Sequence, residues 1–146
     1  MDRKEKLAVI EEILDWAGDK LGDITPRVRE RFFAVHPDGK ALFIRHGGRD
    51  PSRMEGDMIE SALFCLLNWF ERPGEVESIF RDTVPHHEIL EIDAKHFSGL
   101  LRAVFDVIGD VMPACRPDWY RVWGEARTEL LDLAEGSSLS ALIAAR

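Results

Sequence analysis

His86 and His87 are adjacent imidazoles, placed where one short helical segment runs out and a long apolar helix is about to begin. Ile92 lies five residues beyond His87, followed by Asp93, Phe97 and a stripe of Leu100, Leu101, Val104, Phe105 and Ile108. An imidazole in that place has apolar neighbours on both sides and almost no polar group in sequence to satisfy it. Such a ring is suited to ligate a metal, because one nitrogen keeps its lone pair while the other donates its proton. A histidine beside a helix end also serves as a cap or a half-exposed surface residue, and the pair alone does not decide between these roles.

Other chemistry-bearing groups are scattered. Arg45, His46, Arg49 and Arg53 cluster in the segment FIRHGGRDPSRM with a single acid, which is conspicuous in an acidic chain. That cluster is either an ordinary solvated loop or a site for an anionic group. The two cysteines, Cys65 and Cys115, are far apart and lack metal-binding spacing, and Cys65 lies in an apolar run that suits a buried, reduced thiol.

The elements that must position these groups read as helices almost throughout, since apolar residues recur at helical spacing and strand alternation is nearly absent. Residues 3–20 carry Leu7, Ile10, Ile13 and Leu14 on one face, and Gly22 ends that helix. Thr25 and Pro26 open a second helix, and His36-Pro37 closes it because a residue before proline avoids the helical region. A short turn leads to Leu42 and Phe43, and residues 44–53 form the one clear loop. Long helices are then expected from about Ser52 to Glu71, from Pro73 to near the histidines, from Asp93 to about Met112, and from Pro117 to the Gly136-Ser137-Ser138 stop. The expected fold is all-α, with six to seven helices in one domain over residues 1–135 and a short tail over 136–146.

Composition narrows the partners. The chain has 146 residues, and its 45% apolar content suffices for one buried core. Four Trp and eight Phe must mostly go inside or line a cavity. A net charge of −8 argues against nucleic-acid binding, and the sequence contains no polybasic membrane-binding tract. The apolar run Ala62–Phe70 is too short to span a bilayer and the N-terminus does not read as a signal peptide, so a cytoplasmic protein is expected.

Several of these features at fixed separations resemble a single-domain bacterial globin, the haem domain of flavohaemoglobins without its reductase. The segment PRVRERFFAVHPDGKALF looks like the second globin helix, its proline corner and the haem-contacting phenylalanine, which assigns Phe43. The segment VPHHEILEIDAKHFSGLL looks like the end of the proximal helix and the start of the next. The aliphatic residue at plus five and the aromatic at plus ten, Ile92 and Phe97, select His87 as the iron ligand. Vertebrate-type spacing would select His86, but Phe80 falls on an apolar contact position only in the first register. PDWYRVWGEA resembles the start of the final helix, with Trp123 in the usual tryptophan place.

The resemblance implies haem b as cofactor, His87 as its metal ligand, and Phe43, Ile59, Ile92, Phe97 and Val104 around the porphyrin. It also implies a diatomic gas as ligand, and propionates of the haem as partners for the basic loop, Lys95 and His96. Two positions depart from the family. Arg29 stands where Tyr or Leu is usual, and Glu55, or Asp57 if the preceding loop differs in length, stands where His or Gln is usual. Arg29 and Glu55 would either form an internal ion pair or swing to the rim, and Arg29 would be the donor to a bound, partly anionic ligand. Two other functions compete with a gas-binding globin: nitric oxide detoxification with a separate reductase partner, and a haem-free regulatory or interaction module. A homodimer is left open.

Overall fold

In the computed structural model, which describes residues 1–145, the described residues form eight helices and no strand. They are α1 (Arg3–Leu21), α2 (Thr25–Val35), α3 (Gly39–His46), α4 (Pro51–Asn68), α5 (Pro73–Ile89), α6 (Ala94–Gly109), α7 (Pro117–Gly136) and α8 (Leu139–Ala144). Local chemistry explains most of the starts. Asp2 and Glu5 form a reciprocal capping box at α1, and the Asp50 carboxylate accepts the Arg53 N–H at α4. Prolines occupy the first turns of α2, α4, α5 and α7, where a missing N–H costs nothing.

The differences from expectation are local. The short turn before Phe43 is the helix α3, so the expected 44–53 loop shrinks to residues 47–50. Two turns of helix are too short for a 3.6-residue period to stand out in sequence. The tail forms α8 against α7, with the Ser138 hydroxyl accepting the Ala141 N–H. Asp93 does precede α6, but its side chain makes no capping hydrogen bond. No described helix is long and apolar enough to cross a membrane.

α6 carries a broad, deeply buried apolar face opposite the stripe of Lys95, Arg102 and Asp106, and its neighbours follow from that. α2 packs on one side and α7 on another, while α5 covers a third; α1 lies across α7 and α4. Val104, Phe105 and Ile108 of α6 are fully enclosed with Val28 of α2 and Val122 and Leu130 of α7. The tryptophans hold the edges of this core. Trp123 donates its indole N–H to the Phe105 carbonyl (3.1 Å), Trp16 to the Val111 carbonyl (2.7 Å) and Trp119 to Glu12 (3.1 Å), so burial of these rings leaves no N–H orphaned.

The turn from α5 to α6 brings the chain back beneath His87. The Ile92 N–H donates to the His87 carbonyl (2.9 Å) and the Glu91 N–H to the Glu88 carbonyl (2.9 Å). This wrap requires a positive φ at Glu91 (64°), where a Cβ crowds the carbonyl. Glu91 also meets Arg45 at 3.0 Å, but both side chains are well exposed and the pair contributes little. Glu91→Gly should therefore raise stability by about 0.5–1 kcal/mol, and Glu91→Val should lower it. The urea midpoint at unchanged slope measures this, and a loss with glycine would refute the strain.

Candidate functional site

α4 faces α5 and the start of α6 across a gap, and α3 closes one end of it. The result is a cavity of about 690 Å³. Met54, Asp57, Met58, Ser61, Ala62 and Cys65 border it from α4. Ile79, Phe80, Thr83 and His87 border it from α5, with Ile92, Phe97 and Leu100 from the turn and α6. Leu42, Phe43 and His46 of α3 complete it, and Phe32 of α2 lies behind Phe43 with the two rings stacked at 5.6 Å. The wall is largely apolar with a few polar groups, the usual make-up of a small-molecule or cofactor site.

Four of the residues singled out from sequence converge here: Phe43, His87, Ile92 and Phe97. His87 is half-buried near the end of α5. Its Nδ1 lies 2.8 Å from the Thr83 carbonyl one turn back. A carbonyl can only accept, so the proton resides on Nδ1 and Nε2 carries the free lone pair. The Phe97 ring meets the imidazole edge-on at 5.2 Å, and Phe80 in turn packs edge-on against Phe97 at 5.7 Å. Ring direction and tautomer are thus both set by neighbours. His86 also borders the cavity, but it is exposed, and its ring has no hydrogen-bond partner among the described residues.

Arg29, Glu55 and Ile59 are not among the described residues lining this cavity. Arg29 and Glu55 do pair, Nη1 to Oε2 at 2.8 Å, in the contact between α2 and α4. Ile59 instead borders a second hollow with Leu14, Ala17 and Ile108. The cavity face of α4 is turned from the expected Glu55–Met58–Ile59–Ala62 stripe by about one residue, on the order of 100°. The reason is that α4 is apolar on more than one side. Ile59 and Leu66 are needed against the core, so the positions next to them are left to face the gap.

The basic cluster divides in the same way. His46 and Arg53 reach the cavity, whereas Arg45 pairs with Glu91 and His96 with Asp38. His46 Nε2 is buried without a partner, so this ring can still bind something in the cavity. Sequence reasoning placed His46 only in a basic loop that either is solvated or meets propionates at a pocket mouth, because it read residues 44–53 as a loop; with α3 helical, Leu42, Phe43 and His46 recur at helical spacing on one face. Ser61 was missed altogether, since a lone serine in an apolar helix carries no signal. Cys65 is 3% exposed, and burial pushes its thiol up to about 11.

No protein-family model matches the chain, and neither a curated protein nor a solved structure does.

The pairing of Arg29 with Glu55 makes an asymmetric prediction. Glu55 is 8% exposed, while the Arg29 side chain keeps 35% of its surface in solvent. Arg29→Leu strands a buried carboxylate and should cost about 3 kcal/mol. Glu55→Leu leaves a guanidinium that can turn to water and should cost about 1 kcal/mol. The double replacement should recover most of the larger loss, as read from a double-mutant cycle; additive effects near zero would mean the pair does not form in solution.

The cysteines give a second test. With a pKa of about 11, Cys65 holds roughly 0.1% thiolate at pH 8. Alkylation at that pH should label exposed Cys115 in the folded protein and reach Cys65 only after unfolding. Equal labelling would show that the cavity wall at α4 opens readily.

Proposed function

We propose that this chain is a haem-binding protein of the globin type, with haem b in the cavity between α4 and α5 and a diatomic gas as its reversible ligand. The observation that carries the proposal is the His87 ring. A neutral imidazole whose Nδ1 proton is held by the Thr83 carbonyl presents a lone pair on Nε2, and the backbone acceptor makes that nitrogen a better ligand. Iron held by such a histidine would supply the site at which a small gas ligand binds.

The rest of the cavity fits the group. Its volume suits a bound cofactor, its α4 and α6 walls are mainly apolar, and the Phe43 and Phe97 rings border it. Arg53 and His46 are cationic or proton-donating partners for carboxylates at the margin. The cavity is also walled by helices on every side that borders it, with α2, α3, α4, α5 and α6 all contributing.

Each residue then has a stated task. His87 ligates, Thr83 orients it, and Phe97 and Phe80 keep its ring from turning. Met58, Ala62 and Leu100 exclude water. Ser61 is the α4 hydroxyl bordering the cavity that can donate to the gas in place of Arg29, which is engaged with Glu55. A haem-free module drew its support from charges at both distal positions. Mutual neutralisation of Arg29 and Glu55 away from the cavity removes that ground and leaves Asp57 as the acid that α4 contributes to the wall.

Reconstitution with haemin tests the proposal. The wild-type chain should show a stoichiometric Soret band, His87→Ala should lose it, and His86→Ala should keep it. Added imidazole should restore the band to a His87→Gly variant. The opposite pattern would move the ligand to His86, and indifference to both substitutions would end the haem reading.

A further inference from the structure

Three side chains from different parts of the sequence meet at the corner between α2, α3 and α6. His36 ends α2, where Pro37 forces the backbone out of the helix (φ −125°, ψ 78°). The Gly39 N–H then donates to the His36 carbonyl (2.9 Å), a tight turn that brings Asp38 back toward His36. His96 arrives from the first turn of α6. One potential ligand atom from each lies within 4.8 Å of the others.

The close approach is built in. A Cβ at Gly99 would lie 2.5 Å from His36 Nε2, so the glycine is what lets the ring rest on α6. The rings of His36 and His96 stand 5.3 Å apart, and Phe32 supports both from below.

A plain ion pair accounts poorly for His96. The residue is 7% exposed; its Nε2 lies 2.8 Å from Asp38 Oδ2, while its buried Nδ1 has no partner. A charged ring would leave an N–H there without an acceptor, and a neutral ring donating to Asp38 would leave a bare lone pair. The nearest acid to Nδ1 is Asp93, at 4.0 Å, and that carboxylate is not used to cap α6. A cation resolves both features at once. With Nε2 ligating, the proton moves to Nδ1 and faces Asp93, which is the carboxylate–histidine–metal arrangement found around bound ions.

We propose that His36, Asp38 and His96 form a site for a divalent transition-metal ion of the Zn²⁺ class, with Asp93 orienting His96 and water completing the coordination. Two imidazoles and one carboxylate favour such an ion over Mg²⁺ or Ca²⁺, which prefer oxygen donors. Ligand bonds of 2.0–2.2 Å put ligand atoms of a tetrahedral ion about 3.5 Å apart. The ligand atoms, all within 4.8 Å of one another, bracket that spacing: His96 Nε2 and Asp38 Oδ2, now 2.8 Å apart, would open slightly as the ion replaces their hydrogen bond, by side-chain rotation of exposed Asp38. The site is independent of haem, although the His96 ring also touches the cavity wall.

Calorimetric titration of the metal-free chain with Zn²⁺, and visible absorption with Co²⁺, test the site. One ion per chain is expected, with d–d bands of a four- or five-coordinate Co²⁺ centre, and Ca²⁺ and Mg²⁺ should not compete. Asp93→Asn should weaken binding about 10–100-fold without touching the ion, and His36→Ala and Asp38→Ala should weaken it at least as much. Both ligand variants lie outside the core, so circular dichroism should remain native. His87→Ala should bind Zn²⁺ like the wild type, which separates this site from the haem proposal. Absence of binding, undiminished affinity in His36→Ala and Asp38→Ala, or loss in His87→Ala would overturn the inference.

Discussion

Everything in this molecule is arranged around the need to bury α6. Its apolar face is broad and deeply buried, so α2, α5 and α7 must each cover part of it. Helices are stiff cylinders that meet along ridges, and a set chosen to enclose one of them does not also close perfectly on one another. The gap between α4 and α5 is where that geometry leaves space. That gap is lined largely by apolar side chains.

Histidines show how position overrides residue type. His87 is fixed by the carbonyl of its own helix, one turn back, and by the Phe97 edge, so its free nitrogen is set by local backbone geometry. His96 owes its orientation to Asp38, far away in sequence, and keeps one nitrogen buried without a partner. His46 has a buried nitrogen without a partner as well, but it faces the cavity. The same imidazole thus offers a different free nitrogen at each place, according to which neighbours satisfy the other one.

Charge is handled by pairing rather than by exclusion. Glu55 is buried deeply enough that an unpartnered carboxylate would be severely penalised, and Arg29 meets it from the adjacent helix. The pair lies in the contact between α2 and α4, so the two charges anticipated for the pocket serve helix packing.

Helices were legible from sequence because their signals are local: apolar residues every three or four positions, prolines in first turns, and glycine or His-Pro stops. The all-α class, most boundaries and the reduced cysteines follow from such short-range patterns, whereas Phe43, Ile92, Phe97 and the choice of His87 over His86 came from the resemblance to globins. Tertiary packing alone decided how each helix is rotated about its own axis. α4 carries apolar residues on more than one side, and sequence periodicity cannot say which stripe meets the core and which meets a gap. Ile59 and Glu55 therefore turned inward against α1 and α2, while Met54, Asp57 and Ser61 took the cavity wall. The meeting of His36, Asp38 and His96 is of the same kind, because α2 and α6 are brought together by burial of their apolar faces and the polar residues at their ends are carried along.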